Sequence, residues 1–600
     1  MDPGTALGAV SLVFQVFSGC MKCCQLVLES KDFPQKYGYL RHRFRREQLQ
    51  LLDWWEVSGF TDETTIQGAQ LDQRRQADIE SLSLIKTLIL EACQIEQRYD
   101  PCSNLVDDNQ GDSTLEQVKL LPFNPLEVAH KKGELLRKCL RYAESASIRY
   151  TRRLRWVLFD ADKFEQLLTR FSELNKSMQS HLLLEKIRQF QQLQEATQIE
   201  IVQRPEKVDE LSDIIRSCRC LRQDDDSGRS WRDSNEKLLE RLARLKALNI
   251  MVDKGDSSCE NDMTAQAGLK VPLPDDLKLI TSQLKLQDDP KKDNYQRVSG
   301  KFNDITVWVE WKSYDEEIPV SECRSIEIRI ARLVTLLLKS PENPEKLHLP
   351  AALGYVHDPT FARFGLVFES PILTNTLVPQ SLYDRLHTTF KPSLTTRIDI
   401  ARRLTTSLEY LHVAKWLHKG LRSDNVLFPT SSCSEWLPLY LSGFDYSRPA
   451  EPGERTELPS NRREHDLYRH PDVQFHVPRD GEYGYVEKHD VYSLGVVLME
   501  IGLWQPIYQF LGLSLNELTS RPAIRKVRMK LLGAESLTAL ESEAGGRFSE
   551  AVKMCLMGNI GRRSPGESKS LVNAGESNYL WDDSVDCLQK IKEVLQSITV

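Results

Sequence analysis

His418-Lys419-Gly420-Leu421-Arg422-Ser423-Asp424-Asn425 follows an amphipathic run over residues 394–411, and Leu441-Ser442-Gly443-Phe444-Asp445 comes some eighteen residues after it. Both are short polar stretches between apolar segments, the setting in which reactive side chains are usually displayed on a rigid scaffold. Each holds a glycine with a carboxylate displaced downstream: Asp424 lies four positions after Gly420, and Asp445 two after Gly443. Gly420 cannot accept a proton, and Asp424 reaches the same point only if the loop is rebuilt.

The flanking sequence gives these loops a frame. Residues 305–310 alternate apolar and polar and run into Trp311-Lys312, the pattern of a strand delivering a lysine. Gly365-Leu366-Val367-Phe368-Glu369-Ser370-Pro371 reads as another strand ending in a hinge. Leu467-Tyr468-Arg469-His470-Pro471-Asp472 and Asp490-Val491-Tyr492-Ser493-Leu494-Gly495 follow in that order.

Together these stretches resemble, in order and spacing, the strand lysine, hinge, H-R-D-x-x-x-x-N loop, D-F-G, activation-segment end and D-x-W-S-x-G helix of protein kinases. The resemblance implies an α+β bilobal, kinase-like fold over residues 286–600. It makes Lys312 the nucleotide-phosphate lysine and Glu327 its helix partner, with Glu322 the alternative. It sets Phe368 and Glu369 against an adenine and leaves Asn425 at the second metal position. His418, Phe444, Asp490 and Gly495 fill positions that pack or brace that fold.

Phosphoryl transfer needs a glycine-rich loop over the phosphates, a base for the incoming hydroxyl and magnesium held by carboxylates. Between residues 291 and 311 only Gly300 is glycine, Gly420 stands at the base position, and Gly443 stands at the metal-aspartate position. Asp445 is displaced by roughly 6–7 Å along an extended backbone, whereas magnesium requires oxygens at about 2.0–2.1 Å. Asn425 and Asp445 are therefore only weak metal candidates. The expectation is a pseudokinase without catalytic residues, requiring no cofactor, whose cleft admits ATP without strong dependence on magnesium. The alternative is an active protein kinase with an atypical ATP and metal site.

The first residues have a different texture. Residues 6–21 carry no charge, and Leu7, Val10, Phe14, Phe17, Met21, Cys24 and Leu28 step by three and four along one side of a helix. Ala9, Val13, Val16 and Cys20 make the opposite side apolar as well, so this helix is either wrapped by partners or bound for lipid. The stretch is at the lower limit of about 20 apolar residues for a span. It lacks the basic start of a secretory signal, and Asp2 argues against N-myristoylation. Helical patterning continues over residues 37–55, 73–99, 125–146 and 161–195, then 235–250, with polar breaks at 107–113, 224–228 and 253–267.

Three features of this half resemble the HeLo domain of fungal incompatibility and cell-death proteins: the start Ala6-Leu7-Gly8-Ala9-Val10, the charged helix over 41–55 ending in tryptophan, and Trp156-Val157-Leu158-Phe159-Asp160-Ala161-Asp162-Lys163-Phe164. The resemblance implies an all-α bundle over residues 1–215 whose first helix inserts into membranes through Leu7, Val10, Phe14 and Phe17. Residues 216–285 then form a helical brace and linker. A helical killing bundle followed by a kinase-like domain is similar in architecture to the mixed-lineage-kinase-domain-like necroptosis effectors.

Six hundred residues with a formal charge of -7 and a pI near 6.0 argue against a dedicated nucleic-acid binder. The 13 cysteines form no zinc-finger pairs and read as reduced thiols of an intracellular protein. The expected function is a signal-controlled cell-death effector, cytoplasmic until it moves to the plasma membrane. Its expected partners are anionic lipids, further copies of itself and an unidentified upstream signalling protein. Arg41, Arg43, Arg45 and Arg46, with Lys131, Lys132, Arg137, Lys138, Arg141, Arg149, Arg152, Arg153 and Arg155, are the basic groups available for lipid, and Thr456 and Ser460 near Arg462 and Arg463 are candidate phosphorylation positions. The competing class is a non-catalytic signalling scaffold.

Overall fold

A computed structural model describes residues 3–29, 33, 35–60, 73–92, 95–99, 130–145, 148–152, 161–223, 231–253, 269, 274–286, 297–338, 347–370, 379–428, 436, 438–450, 463–475, 484–514, 520–560, 580–581 and 584–599. Thr456, Ser460 and Arg462, the segment 153–160 with Arg153, Arg155 and Trp156, the breaks at 107–113 and 224–228, and nearly all of 253–267 lie outside these residues, as do the side chains of Leu7, Val10, Lys131, Arg149 and Arg152. The chain divides into two compact units, residues 1–243 with 261–268 and residues 244–260 with 269–600.

The first unit is built from α1 (Pro3–Leu28), α2 (Gly38–Ser58), α3 (Gln73–Ala92), α4 (His130–Ser145), α5 (Ala161–Ser180), α6 (Leu184–Gln203), α7 (Val208–Gln223) and the first part of α8 (Trp231–Asp253). α1 packs against α2, α3 and α4, while α2 packs against α5, α6 and α7 on its other sides. Both apolar sides of α1 are used: Val13, Phe17, Cys20, Met21 and Cys24 are all buried. Phe17 stacks on Trp55 at 4.0 Å, and Trp55 stacks in turn on Phe60 at 5.5 Å. Aromatic pairs at such distances contribute about 0.5–1.5 kcal/mol beyond the area they bury. α1 is thus a wrapped helix in this arrangement. No helix among the described residues is long and apolar enough to cross a membrane.

Two sequence expectations need correction here. Residues 73–99 are not one helix: α3 ends at Ala92, and β1 (Ile95–Tyr99) pairs antiparallel with β2 (Ile148–Arg152), so the unit is not purely helical. Ile95, Tyr99, Ile148, Tyr150 and Thr151 are β-branched or aromatic, and that preference outweighs continued helix. Residues 161–195 also divide, at 181–183, because a continuous helix would run about 50 Å, whereas α5 and α6 both fold back on α2. His181 Nδ1 meets Asp78 Oδ1 at 2.7 Å and pins that turn to α3.

Several charges are enclosed by the bundle. Lys132 pairs with Asp53 at 2.6 Å, and Gln194 and Thr197 donate to the same carboxylate at 2.9 and 2.8 Å. Arg46 pairs with Glu236. Arg46 and Lys132, expected as lipid-facing charges, are therefore committed to buried pairs.

The second unit carries a five-stranded antiparallel sheet in the order β3-β4-β5-β7-β6, formed by β3 (Leu284–Leu286), β4 (Arg297–Phe302), β5 (Ile305–Ser313), β6 (Ala352–Asp358) and β7 (Arg363–Glu369). α9 (Val320–Leu337) lies on one face, where Trp308, Phe364, Leu366 and Phe368 meet Ile330, Leu333 and Val334. Val307, Val309, Val356 and Val367 form a small cluster on the other. This split follows the period-2 alternation of β5 and β7. The same main core continues through α10 (Leu394–Val413), α11 (Glu487–Leu503), α12 (Ala534–Ala544), α13 (Gly546–Met557) and α14 (Ser584–Gln596).

Lys132→Ala leaves Asp53 enclosed without its cation, and a broken buried pair costs about 3–5 kcal/mol. Chemical denaturation should show this loss, and Lys132→Met combined with Asp53→Leu should recover part of it.

Candidate functional site

Two loops of the second unit converge beneath the sheet. The first runs from Trp416 to Phe428 and is fixed by Asp490 on α11, whose carboxylate accepts the N–H groups of His418 and Lys419 at 2.8 Å each and the Tyr485 hydroxyl at 2.7 Å. An anion receiving several donors is held below its usual pKa even when buried, and Asp490 is so held, chiefly by the His412 ring at 3.4 Å with His418 and the Tyr485 hydroxyl, although burial alone would raise it. The second loop, residues 442–447, docks on the first. Ser442 N–H donates to Asn425 O at 2.8 Å, Ser447 Oγ donates to His418 O at 2.8 Å, and the Phe444 ring lies 4.8 Å from that of His418.

Gly420 and Gly443 meet at the centre. A Cβ on Gly420 would stand 2.7 Å from Gly443 O, and one on Gly443 would stand 2.0 Å from Asn425 Nδ2. Gly443 also has a φ of +83°, a backbone state that side chains with a Cβ adopt only under strain. Neither position has room for a carboxylate in this backbone. Gly495, farther away, lets α11 approach α13, since its Cβ would fall 2.6 Å from Cys555 Cβ.

Polar groups of the sheet reach down to these loops. Arg297, the first residue of β4, donates from Nε to Glu310 Oε1 at 2.7 Å, from one terminal nitrogen to Asp424 O at 2.7 Å, and from the other to Asn425 Oδ1. Glu310 on β5 accepts the Ser442 hydroxyl at 2.5 Å and the Gly443 N–H at 3.0 Å. Burial alone would raise the Glu310 carboxyl, but Arg297 and these donors hold it below 4.5. Lys312 donates to Asp445 O at 2.6 Å, and Arg422 pairs with Asp424 at 2.7 Å. Burial raises the Asp445 carboxyl, opposed by the charges of Arg422 and Lys312.

The expected site residues therefore separate. Lys312 and Asn425 lie among these groups, but the Asn425 amide is held at both ends, by Arg297 at Oδ1 and through Nδ2 to Gly420 O at 2.6 Å. Glu327 does not partner Lys312. It binds Arg324 at 2.7 Å and Lys278 and Tyr355 at 3.1 Å each, because its turn of α9 faces β6. Glu322 is exposed. Phe368 is fully buried against Trp308 at 5.4 Å, and Glu369 closes its strand by donating its N–H to Ala351 O at 2.9 Å. Gly300 is a packing glycine, with Lys285 O 2.5 Å from its absent Cβ.

Sequence reasoning missed Arg297 and Glu310. The available signal was Glu310 itself, a carboxylate two residues before Lys312 and so on the same side of a strand that enters the core.

These residues fit a magnesium–nucleotide complex poorly. Arg297 pairs with Glu310 and Arg422 with Asp424, while Lys312 donates to the main-chain oxygen of Asp445, whose buried carboxyl Oδ1 has no hydrogen-bond partner. Elsewhere, among the described residues, His470, Asp472 and His489 bring possible metal-ligating atoms within 4.8 Å of one another. His470 Nδ1 accepts the Asp472 N–H at 3.2 Å and His489 Nδ1 the Val486 N–H at 3.0 Å. Each neutral ring then carries its proton on Nε2, and Lys488 occupies the Asp472 carboxylate at 3.2 Å, so the trio is poorly suited to a cation.

A family model described as HeLo, prion-inhibition and propagation, matches residues 4–214. A search of curated proteins returns no match.

Gly443→Asp should create no magnesium response and should lower stability by about 2–4 kcal/mol, from left-handed strain and overpacking against Asn425; urea unfolding with and without magnesium measures both. Burial holds His348 and His418 down to about 4 from 6.5. The folded state then binds fewer protons than the unfolded one between those values. The contribution of these two imidazoles to the stability of the second unit is expected to be full above pH 6.5 and to fall as pH drops toward 4, against the opposite contribution of Glu500, whose carboxyl burial pushes up to about 7, and with the Glu310 contribution lost last. Melting midpoints across that range test the sign.

Proposed function

We propose that this chain is a signal-controlled cell-death effector in which a kinase-like, catalytically silent second unit restrains a membrane-targeting HeLo bundle. The observation that carries the reading is α1, a helix apolar on both sides and without charge over residues 6–21, enclosed by α2, α3 and α4 in a unit matched by the HeLo model. A helix apolar on both sides calls for burial, which a bundle or lipid can supply. The kinase-like reading of the second unit is supported by the antiparallel five-stranded sheet with α9 against it, by Lys312 on β5, and by Asp490 bracing the loop that holds His418 and Asn425.

Release requires a signal that favours the open state over the closed one, since only differential affinity shifts such an equilibrium. In this reading the protein is cytoplasmic at rest and, on activation by an upstream signalling protein, self-associates on anionic lipid at the plasma membrane. The charges left for that surface include Lys138 and Arg141, each adding on the order of 1 kcal/mol beside anionic lipid. A scaffold without membrane action is the second reading, favoured by the loss of Arg46 and Lys132 to buried pairs.

Residues 1–253 should release dye from vesicles containing anionic lipid, and the full chain should release much less. Phe14→Glu, at a half-buried position, should abolish leakage while the melting transition is retained; Phe17→Glu is unsuitable because Phe17 is fully buried. Equal silence of both proteins on vesicles would favour the scaffold.

A further inference from the structure

We propose that the Arg297–Glu310 pair closes the cleft of the second unit to nucleoside triphosphates, so that this cleft is held shut by its own side chains. The inference rests on the kinase-like reading of that unit and departs from the expectation that ATP enters without magnesium.

The geometry is that of a latch. Arg297 stands at the start of β4. Its guanidinium joins Glu310 on the neighbouring strand to Asp424 O and Asn425 Oδ1 on the first loop. Glu310 joins the same sheet to Ser442 and Gly443 on the second loop. Two side chains thus tie the sheet to both loops, and both are largely withdrawn from water, at 13% and 7% exposure.

A triphosphate meets three obstacles here. It brings negative charge toward Glu310, a buried carboxylate aimed into the cleft. It must compete for Arg297, and taking that guanidinium leaves Glu310 enclosed without a counter-charge, the costly half of a broken buried pair. Asn425, the remaining polar group at the metal position, has both ends of its amide engaged, and Gly443 leaves no room for an acidic ligand. Of the nearby carboxylates, Glu310 and Asp424 are already paired with Arg297 and Arg422, and Asp445, whose buried Oδ1 has no hydrogen-bond partner, is the group that magnesium would have to use. An opening signal must instead compete for Arg297 or Glu310, or pull β4 away from the loops.

The test uses the full chain. Melting of the wild type should not move with roughly 1 mM ATP, with or without magnesium, because a ligand shifts the midpoint only by binding the folded state. Arg297→Met and Glu310→Gln should each lower the midpoint by about 5 °C or more, and the double variant by clearly less than the sum. The double variant, with no buried charge left unpaired, should gain a shift of several degrees with ATP. A wild-type shift with ATP, or single-variant losses that simply add, overturns the latch and leaves the kinase-like reading standing. Coupled losses with a double variant that still ignores ATP overturn the exclusion and the kinase-like reading of the cleft together.

Discussion

A guanidinium and a carboxylate withdrawn from water tolerate that state only while they neutralise each other, and the cleft of the second unit is organised around this constraint. Arg297 and Glu310 sit on neighbouring antiparallel strands, so the sheet holds their backbones in register. Their remaining hydrogen-bonding capacity points down, into Asp424, Asn425, Ser442 and Gly443. The loops in turn need glycine at 420 and 443 to come close enough to be reached. The two glycines and the ion pair are parts of one packing solution.

The bundle applies the same rule differently. Lys132, Asp53, Gln194 and Thr197 draw together α2, α4 and α6, and Arg46 with Glu236 joins α2 to α8. Neither pair gives stability cheaply, since desolvation offsets much of the Coulomb attraction. Mispacked helices would strand one of these charges. α1, which has no charge to place over most of its length, is held mainly by apolar packing, through Phe17 on Trp55 and the buried Cys23 and Cys24, with few polar ties such as Cys20 Sγ to Leu82 O at 2.9 Å and Arg41 to Leu28 O. A helix held by apolar contact is one that another apolar environment can accept.

Much of this was readable in advance where it depends on short-range pattern. The apolar surround of α1, the strand that carries Lys312, α10 over 394–413 and the positions of Gly420 and Gly443 all follow from period and spacing. The strand at 95–99 was hidden because its β-branched and aromatic residues become a strand only with the partner at 148–152, some fifty residues away. The division of 161–195 was hidden because both halves share one helical stripe, and only the size of α2 forces the turn.

The site divides in the same way. The amino-acid sequence by itself determined that Gly420 and Gly443 offer the two loops no side-chain proton acceptor, because a glycine has none in any conformation. It also determined that α1 is without charge over residues 6–21 and apolar on two sides. Only the tertiary structure decided which side chains meet around these glycines. Glu327 turns to Lys278 and Arg324 instead of Lys312 because α9 presents it to β6, and Arg297 reaches Asn425, 128 positions away, because strand and loop are brought face to face. Ion pairs between distant segments depend on a separation of a few ångströms in space, and that separation is set by the folded backbone alone.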